Sequence, residues 1–210
     1  LAIAAGGFHT CVATSSTTNN LLCVGENSYG QLGNGVTTQI HIPIPIAALS
    51  TGIEHASSGA THCCVGYSNT VNCWGSNGFG QLGDGSTEST TMANKSITFD
   101  NKIHQLAASA VFTCVVTVKG SVQCWGSNLY GELGNETTTN ALAPALVKGL
   151  TNVITIAAGN SHACAIEPNE STTSYSIQCW GNNAYQQLGN QTIAFSRIPI
   201  EVGKSAVKPT

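Results

Sequence analysis

Charge is scarce in this 210-residue chain: 7 Lys and Arg stand against 10 Asp and Glu, 8% of residues, with a net charge of −3. An ordinary soluble domain carries roughly 25% charged residues. Without a basic patch there is nothing to neutralise phosphates, which excludes nucleic acid as the expected partner. Ten acids spread over the chain leave no paired carboxylates, and neither a Gly-x-Ser-x-Gly elbow nor a His-Glu-x-x-His pair occurs, so no catalytic residue is assigned and no enzyme is expected. Few charges also mean weak repulsion between copies, a surface that tolerates close self-packing or is kept soluble by glycans or a host assembly. No apolar run approaches the roughly 20 residues of a membrane span. No basic-then-apolar leader is present and the first residue is Leu1, as in a processed chain or a portion of a longer one. Helix-period segments with caps are missing too, although 41% hydrophobic residues are ample for a core.

What is present is a repeat. Cys73-Trp74-Gly75-Ser76-Asn77-Gly78-Phe79-Gly80-Gln81-Leu82-Gly83-Asp84-Gly85 recurs from Cys23 to Gly35, from Cys124 to Asn135 and from Cys179 to Asn190. The glycine after Gln/Glu-Leu falls at 33, 83, 134 and 189, steps of 50, 51 and 55 residues. A period of that length defines repeat units, here approximately 1–50, 51–101, 102–151 and 152–203, followed by a polar tail at 204–210, all within one domain over 1–210. Within each unit, short runs such as Leu1-Ala2-Ile3-Ala4-Ala5 and Leu21-Leu22-Cys23-Val24 read as strands. The segment Ile40 to Ile46 is punctuated by Pro43 and Pro45 and belongs at a sheet edge, because proline cannot donate to a ladder. The expected fold class is therefore all-β, four antiparallel blades stacked as in a propeller or solenoid.

Nine cysteines sort by the repeat into Cys11 with Cys23, Cys64 with Cys73, Cys114 with Cys124 and Cys164 with Cys179, leaving Cys63 over. Eight paired and one spare is a disulfide framework made in an oxidising compartment. The hairpin register supports it. A three-residue loop Val118-Lys119-Gly120 sets Thr117 opposite Ser121 and Cys114 opposite Cys124, and a Ser68-Asn69 turn does the same for Cys64 and Cys73, within bridging distance. Cys63 is expected to be a buried thiol, since neighbours on a strand face opposite ways; an intermolecular bridge is the alternative.

Cys-Trp-Gly-x-Asn followed by Gly-Gln-Leu-Gly-Asp/Asn-Gly, with Ala-Ala-Gly-x-x-His-x-Cys upstream, resembles the repeat of the regulator of chromosome condensation family, in four copies over nearly the whole chain. The resemblance implies a β-propeller of four-stranded blades. The cysteine-bearing variant is similar to that of secreted and surface members, which implies an extracellular or cell-surface location. The chain departs from the pattern at Val24 (for Trp), Phe112 (for His), Gln186 (for Gly) and the added Cys63. The family's propellers usually close with seven blades. Four blades either close as a small ring, or are completed by other copies, or have companions in a missing portion.

Several motifs carry a plain reading beside a functional one. Gly78 to Gly83 matches a dinucleotide fingerprint, but no helix follows and the other copies lack the first glycine, so no cofactor is expected. His9, His62 and His162 near the cysteines could be imagined as zinc ligands, yet there is no Cys-x2–4-Cys knuckle, and Phe112 stands in the same slot; no metal is assigned. Trp74, Trp125 and Trp180 read as core or blade-interface residues. Tyr29, Phe79, Tyr130 and Tyr185, in the glycine loop, are the candidate contact aromatics. Sequons at Asn94, Asn135, Asn169 and Asn190 are candidate glycosylation sites; with 18 Asn and 44 Ser plus Thr, chance alone gives about four.

Three functions compete on these grounds. The leading expectation is an extracellular, non-enzymatic structural protein that assembles with copies of itself, as a surface or filament component. The alternative is a soluble recognition propeller for a partner protein or a glycan. The third, nucleotide exchange on a small GTPase, is implied only by the family's founder. Function should reside where the copies differ: the loops Ser15–Asn20 and Glu167–Tyr175, the loop aromatics and the two open ends.

Overall fold

The computed structural model describes residues 1–14, 21–46, 49, 52–168, 174–191 and 193–202. Asn169, the loop 15–20, most of the loop 167–175 and the tail 204–210 lie outside the described residues.

Sixteen strands form four sheets, and no α-helix occurs among the described residues. Blade 1 contains β1 (Ala2–Ala5), β2 (His9–Ala13), β3 (Leu21–Gly25) and β4 (Ile40–Pro45). Blade 2 contains β5 (His55–Ser58), β6 (His62–Tyr67), β7 (Thr70–Gly75) and β8 (Ser96–Thr98). Blade 3 contains β9 (Ile103–Ala108), β10 (Phe112–Thr117), β11 (Val122–Gly126) and β12 (Ala141–Leu146). Blade 4 contains β13 (Thr155–Ala158), β14 (His162–Pro168), β15 (Tyr175–Asn182) and β16 (Phe195–Glu201). Each is an antiparallel meander in sequence order.

The first strands of successive blades lie side by side, and the turns that follow them, around Gly6, Gly59, Ser109 and Gly159, line one shared cleft of about 400 Å³. First strands therefore face the inside of the array and fourth strands its outer edge. On three outer strands a proline sits just before the residue opposite the hairpin cysteine: Pro43, Pro144 and Pro199 precede Ile44, Ala145 and Ile200. Each removes a ladder donor at the exposed edge and discourages edge-to-edge pairing.

The registers place Cys11 opposite Cys23, Cys64 opposite Cys73, Cys114 opposite Cys124 and Cys164 opposite Cys179, and all four pairs are bridged, with Cα atoms 4.1–4.2 Å apart. In blade 3, Thr117 N–H donates to Ser121 O at 3.0 Å and Gly120 takes φ +72° to close the turn.

A blade a single sheet thick cannot bury a face alone, and the cores lie between blades rather than within them. Cys11, Leu21, Cys23 and Leu32 of blade 1 pack with Val65 and Trp74 of blade 2. Cys64, Val71 and Leu82 pack with Leu106, Val115 and Trp125 of blade 3. Phe112, Val116, Val122 and Leu133 pack with Ile156, Ala163 and Trp180 of blade 4. The bridges thus stiffen the hairpins whose faces make these junctions.

Candidate interaction surface

Three contacts recur at every junction. The first is an indole. Trp74 donates its Nε1–H to the main-chain oxygen of Gln31 at 2.9 Å, Trp125 to that of Gln81 at 2.9 Å and Trp180 to that of Glu132 at 2.7 Å. All three rings are fully buried. The second is a close approach of backbones. A Cβ on Gly30 would lie 2.6 Å from Thr91 Cα, one on Gly80 3.0 Å from Leu142 Cα, and one on Gly131 2.6 Å from Arg197 Cα. The third ties the same loop to the outer edge of the next blade, at the segment before β8 in blade 2 and at β12 and β16 in blades 3 and 4: Gly35 N–H donates to Thr91 O at 2.9 Å, Gly85 to Leu142 O at 2.8 Å and Glu136 to Arg197 O at 3.0 Å.

The loop that makes these contacts is organised by an asparagine. Asn77 Oδ1 accepts from Leu82 N at 2.9 Å, while its Nδ2 reaches Asp84 Oδ1, Ser86 O and Glu88 O at 3.0–3.2 Å. Asn27 and Asn128 repeat the pattern, and Asn183 accepts from Leu188 N at 2.9 Å. A buried amide that uses both ends closes the loop without water. The neighbouring Gln31, Gln81 and Gln187, and Glu132 in their place, accept from the main-chain N–H of the loop aromatic at 2.8–3.0 Å. Tyr29, Phe79, Tyr130 and Tyr185 are therefore held on pinned backbone with their rings exposed. Tyr185 is 92% exposed, against 40–53% for the other three, and among the described residues no outer strand of a following blade lies beside it.

A second pairing crosses each junction at the residue opposite the tryptophan. Thr113 faces Trp125 on its hairpin; its hydroxyl donates to Gln81 O at 2.9 Å and receives His62 Nε2–H at 3.0 Å. In blade 4 the same place is Ala163, opposite Trp180, and it packs with Phe112. In blade 2 it is Cys63, opposite Trp74, in the place equivalent to Thr113 and so next to His9; His9 is buried, and among the described residues neither ring nitrogen has a hydrogen-bond partner. The ring at the His position lies over the glycine three residues earlier, where a Cβ would overlap it at Gly6, Gly59 and Gly159. Only blade 3 has Ser109 there, with Phe112 in place of the imidazole.

Burial pulls the His9 and His162 imidazoles below the usual range. Burial, aided by the neighbouring His9, drives His62 down to about 3. Burial pushes the free Cys63 thiol up to about 12, so it is an unreactive protonated group. Glu132 is raised by burial, partly offset by the N–H of Tyr130. Burial also pulls Asp84 upward, but hydrogen bonds from Lys95 and Ser86 outweigh it and hold the carboxyl below its ordinary value.

Of the sequons, Asn94 is exposed beside Lys95. Asn135 accepts from Asn128 Nδ2 and from Thr137, and the main-chain oxygen of Asn190 accepts from Asn183. Among the described residues no group of three His, Cys, Asp or Glu could hold a metal ion, and no helix is long and apolar enough to cross a membrane.

Among the described residues, none packs against the outer faces of blades 1 and 4 as a further blade would. On the leading face of blade 1, Ile3 is 71% exposed, whereas its counterparts Leu106 and Ile156 are buried in junction cores. Phe8, in the turn after β1, is exposed. On the trailing face of blade 4, Ile177 is 46% exposed where Leu21, Val71 and Val122 are buried. A cleft of about 670 Å³ runs along β16, lined by Phe195, Ile198 and Ile200 with Glu136 and Arg197.

Two family models, both described as the regulator of chromosome condensation (RCC1) repeat, match residues 19–65 and 119–166, and residues 1–31 and 103–132. The chain is 31% identical over 204 residues to the ultraviolet-B receptor UVR8 of Arabidopsis thaliana, covering 95% of this chain and 45% of that protein. It is 29% identical over 204 residues to the human E3 ubiquitin-protein ligase HERC2, covering 94% of this chain and 4% of that protein. It thus spans less than half the length of these curated relatives. Among solved structures, human WBSCR16 superposes with a TM-score of 0.83 at 22% identity, over 99% of this chain and 55% of that one. Prp20p of Saccharomyces cerevisiae superposes with a TM-score of 0.79 at 18% identity, over 98% and 50%. Both likenesses show the fold.

Proposed function

The chain belongs to the RCC1 repeat family, and on that premise we propose that it is a non-enzymatic, extracellular interaction module that assembles with copies of itself as a surface or filament component. One observation carries this reading: an array of four blades, sealed at three junctions, presents apolar residues on both terminal faces, and apolar surface of that kind marks an interaction site. The low charge density supports it by offering little repulsion between copies. The four bridges support a life in an oxidising compartment, where such bonds persist. There the sequons, with Asn94 the most open, become candidates for glycans. Sedimentation velocity over a wide concentration range, with electron microscopy of the concentrated sample, tests the proposal: a sedimentation coefficient that climbs with concentration supports it, and a constant monomer with no polymer refutes it.

A second reading is favoured by the loop aromatics. Tyr29, Phe79, Tyr130 and Tyr185 sit at one position of each repeat on rigid backbone, which suits a soluble recognition propeller that binds a partner protein or a glycan; pre-organised aromatics bind at low entropic cost. Prp20p, which shares the fold, has binding properties toward Gsp1p and histones. A pull-down from the native source that recovers only the chain itself would count against this reading. Nucleotide exchange on a small GTPase is the weakest of the three, since no exchange residue maps onto this chain; accelerated nucleotide release in reducing buffer would revive it.

A further inference from the structure

Asparagine followed by glycine is among the least durable pairs in a protein chain, and this sequence has two, Asn34–Gly35 and Asn77–Gly78. The glycine nitrogen attacks the side-chain carbonyl carbon, a cyclic imide closes, and the amide nitrogen leaves as ammonia. Water then opens the ring at either carbonyl, to aspartate or to isoaspartate. Glycine favours the attack because no Cβ shields its nitrogen and its backbone turns freely. In the other three loops the residue after the organising asparagine is Ser28, Leu129 or Ala184, so only blade 2 carries the labile pair at that place.

The fold holds the two pairs differently. Asn77 is fully buried. Its Oδ1 accepts from Leu82 N, and its Nδ2 is bonded to Asp84 Oδ1, Ser86 O, Ser86 Oγ and Glu88 O at 3.0–3.3 Å. Imide closure would have to break all of these bonds together, so the folded loop protects the amide. A carboxylate left at 77 could only accept, and the groups around its second oxygen are acceptors too, the Asp84 carboxylate among them. Ser86 Oγ spends its proton on Asp84 Oδ1 and has none to offer. At 34 the same change is tolerated. Asn34 Oδ1 accepts from Asn27 Nδ2 and Val36 N, as Asp84 Oδ1 accepts from Asn77 Nδ2 and Ser86 N. Blade 2 thus already has an aspartate in that place.

We propose that Asn77–Gly78 is a modification site exposed only by unfolding: once the blade 2 loop opens, the pair deamidates, and the altered loop cannot close again. Time spent unfolded is thereby converted into permanent loss of the fold.

The test uses the Asn34→Asp chain, in which Asn77–Gly78 is the one Asn–Gly pair left. It is expected to fold like the native chain. It is held in denaturant at mildly alkaline pH without reductant, refolded, separated into folded and unfolded fractions, and mapped by peptide mass spectrometry. Aspartate and isoaspartate at 77 should gather in the unfolded fraction and be missing from the folded one. The chain kept folded at the same pH should retain Asn77. Adding Gly78→Ser, at an exposed glycine with open space around it, copies Ser28 and should slow the loss of refoldable chain several-fold. Four results would each overturn the proposal: Asn34→Asp does not fold, the folded fraction carries altered residue 77 in the same proportion as the whole sample, the folded chain reacts at Asn77 as fast as the unfolded one, or Gly78→Ser leaves the loss unchanged.

Discussion

Trp125 in blade 3 donates its indole N–H to the main-chain oxygen of Gln81 in blade 2 at 2.9 Å, and the Thr113 hydroxyl donates to the same oxygen. A carbonyl that accepts twice inside a sealed junction is fully used, so loss of the indole costs a hydrogen bond and ring volume together. Trp125→Phe should destabilise the chain by about 2–3 kcal/mol. Val24→Ala, at the equivalent position but with a smaller side chain that makes no indole bond and is only half-buried, should cost under about 1 kcal/mol. Chemical denaturation of the two variants checks the contrast.

Cys63→Thr should stabilise the chain by about 1 kcal/mol. It copies Thr113, giving buried His9 a partner and the Gln31 carbonyl a second donor. In the native chain the thiol, buried and pushed up to about 12, should react with a maleimide only when the fold opens. Denaturation midpoints and labelling rates with and without denaturant read both.

Glu132 is a buried carboxyl with a raised pKa where the other repeats have glutamine. Its folded form holds a proton more tightly than its unfolded form, so its charge costs stability as pH rises from the ordinary carboxylate range through the raised value. Glu132→Gln should be stabilising by about 1 kcal/mol at neutral pH, and the gap to the native chain should close below about pH 4.5. Denaturation across that range gives the sign directly.

His62 works in the opposite sense. Its folded pKa, about 3, lies below the ordinary 6.5, so between those values the unfolded chain binds the extra proton. Stability should fall as pH drops from 6.5 toward 3, by at most about 1.4 kcal/mol per pH unit from this group. His62→Gln should flatten that limb without moving the neutral plateau by more than about 2 kcal/mol.

Much of the fold was legible in the residues. The alternation in β10 and β11 and the Gly120 turn set Cys114 opposite Cys124, and the prolines of Ile40–Ile46 belong to an outer edge, as β4 shows. Those are contacts inside one copy, where spacing along the chain is spacing in space. What the repeat could not disclose is which copy a residue leans on. Trp125 and Gln81 are 44 positions apart, and a periodic pattern marks both as recurrent without pairing them. The same holds for His62 with Thr113 and Phe112 with Ala163. Asn77 belongs to the recurring motif, but its role needed the geometry of the loop it closes.

The most direct measurement is hydrogen–deuterium exchange of the native chain, dilute and concentrated. Self-assembly through the exposed apolar residues of blades 1 and 4 predicts that protection rises with concentration in β1 and its following turn and in β14 and β15, while the interior blades and the loops of Tyr29, Phe79 and Tyr130 are unchanged. Protection that rises only in those aromatic loops, or nowhere, would contradict the account.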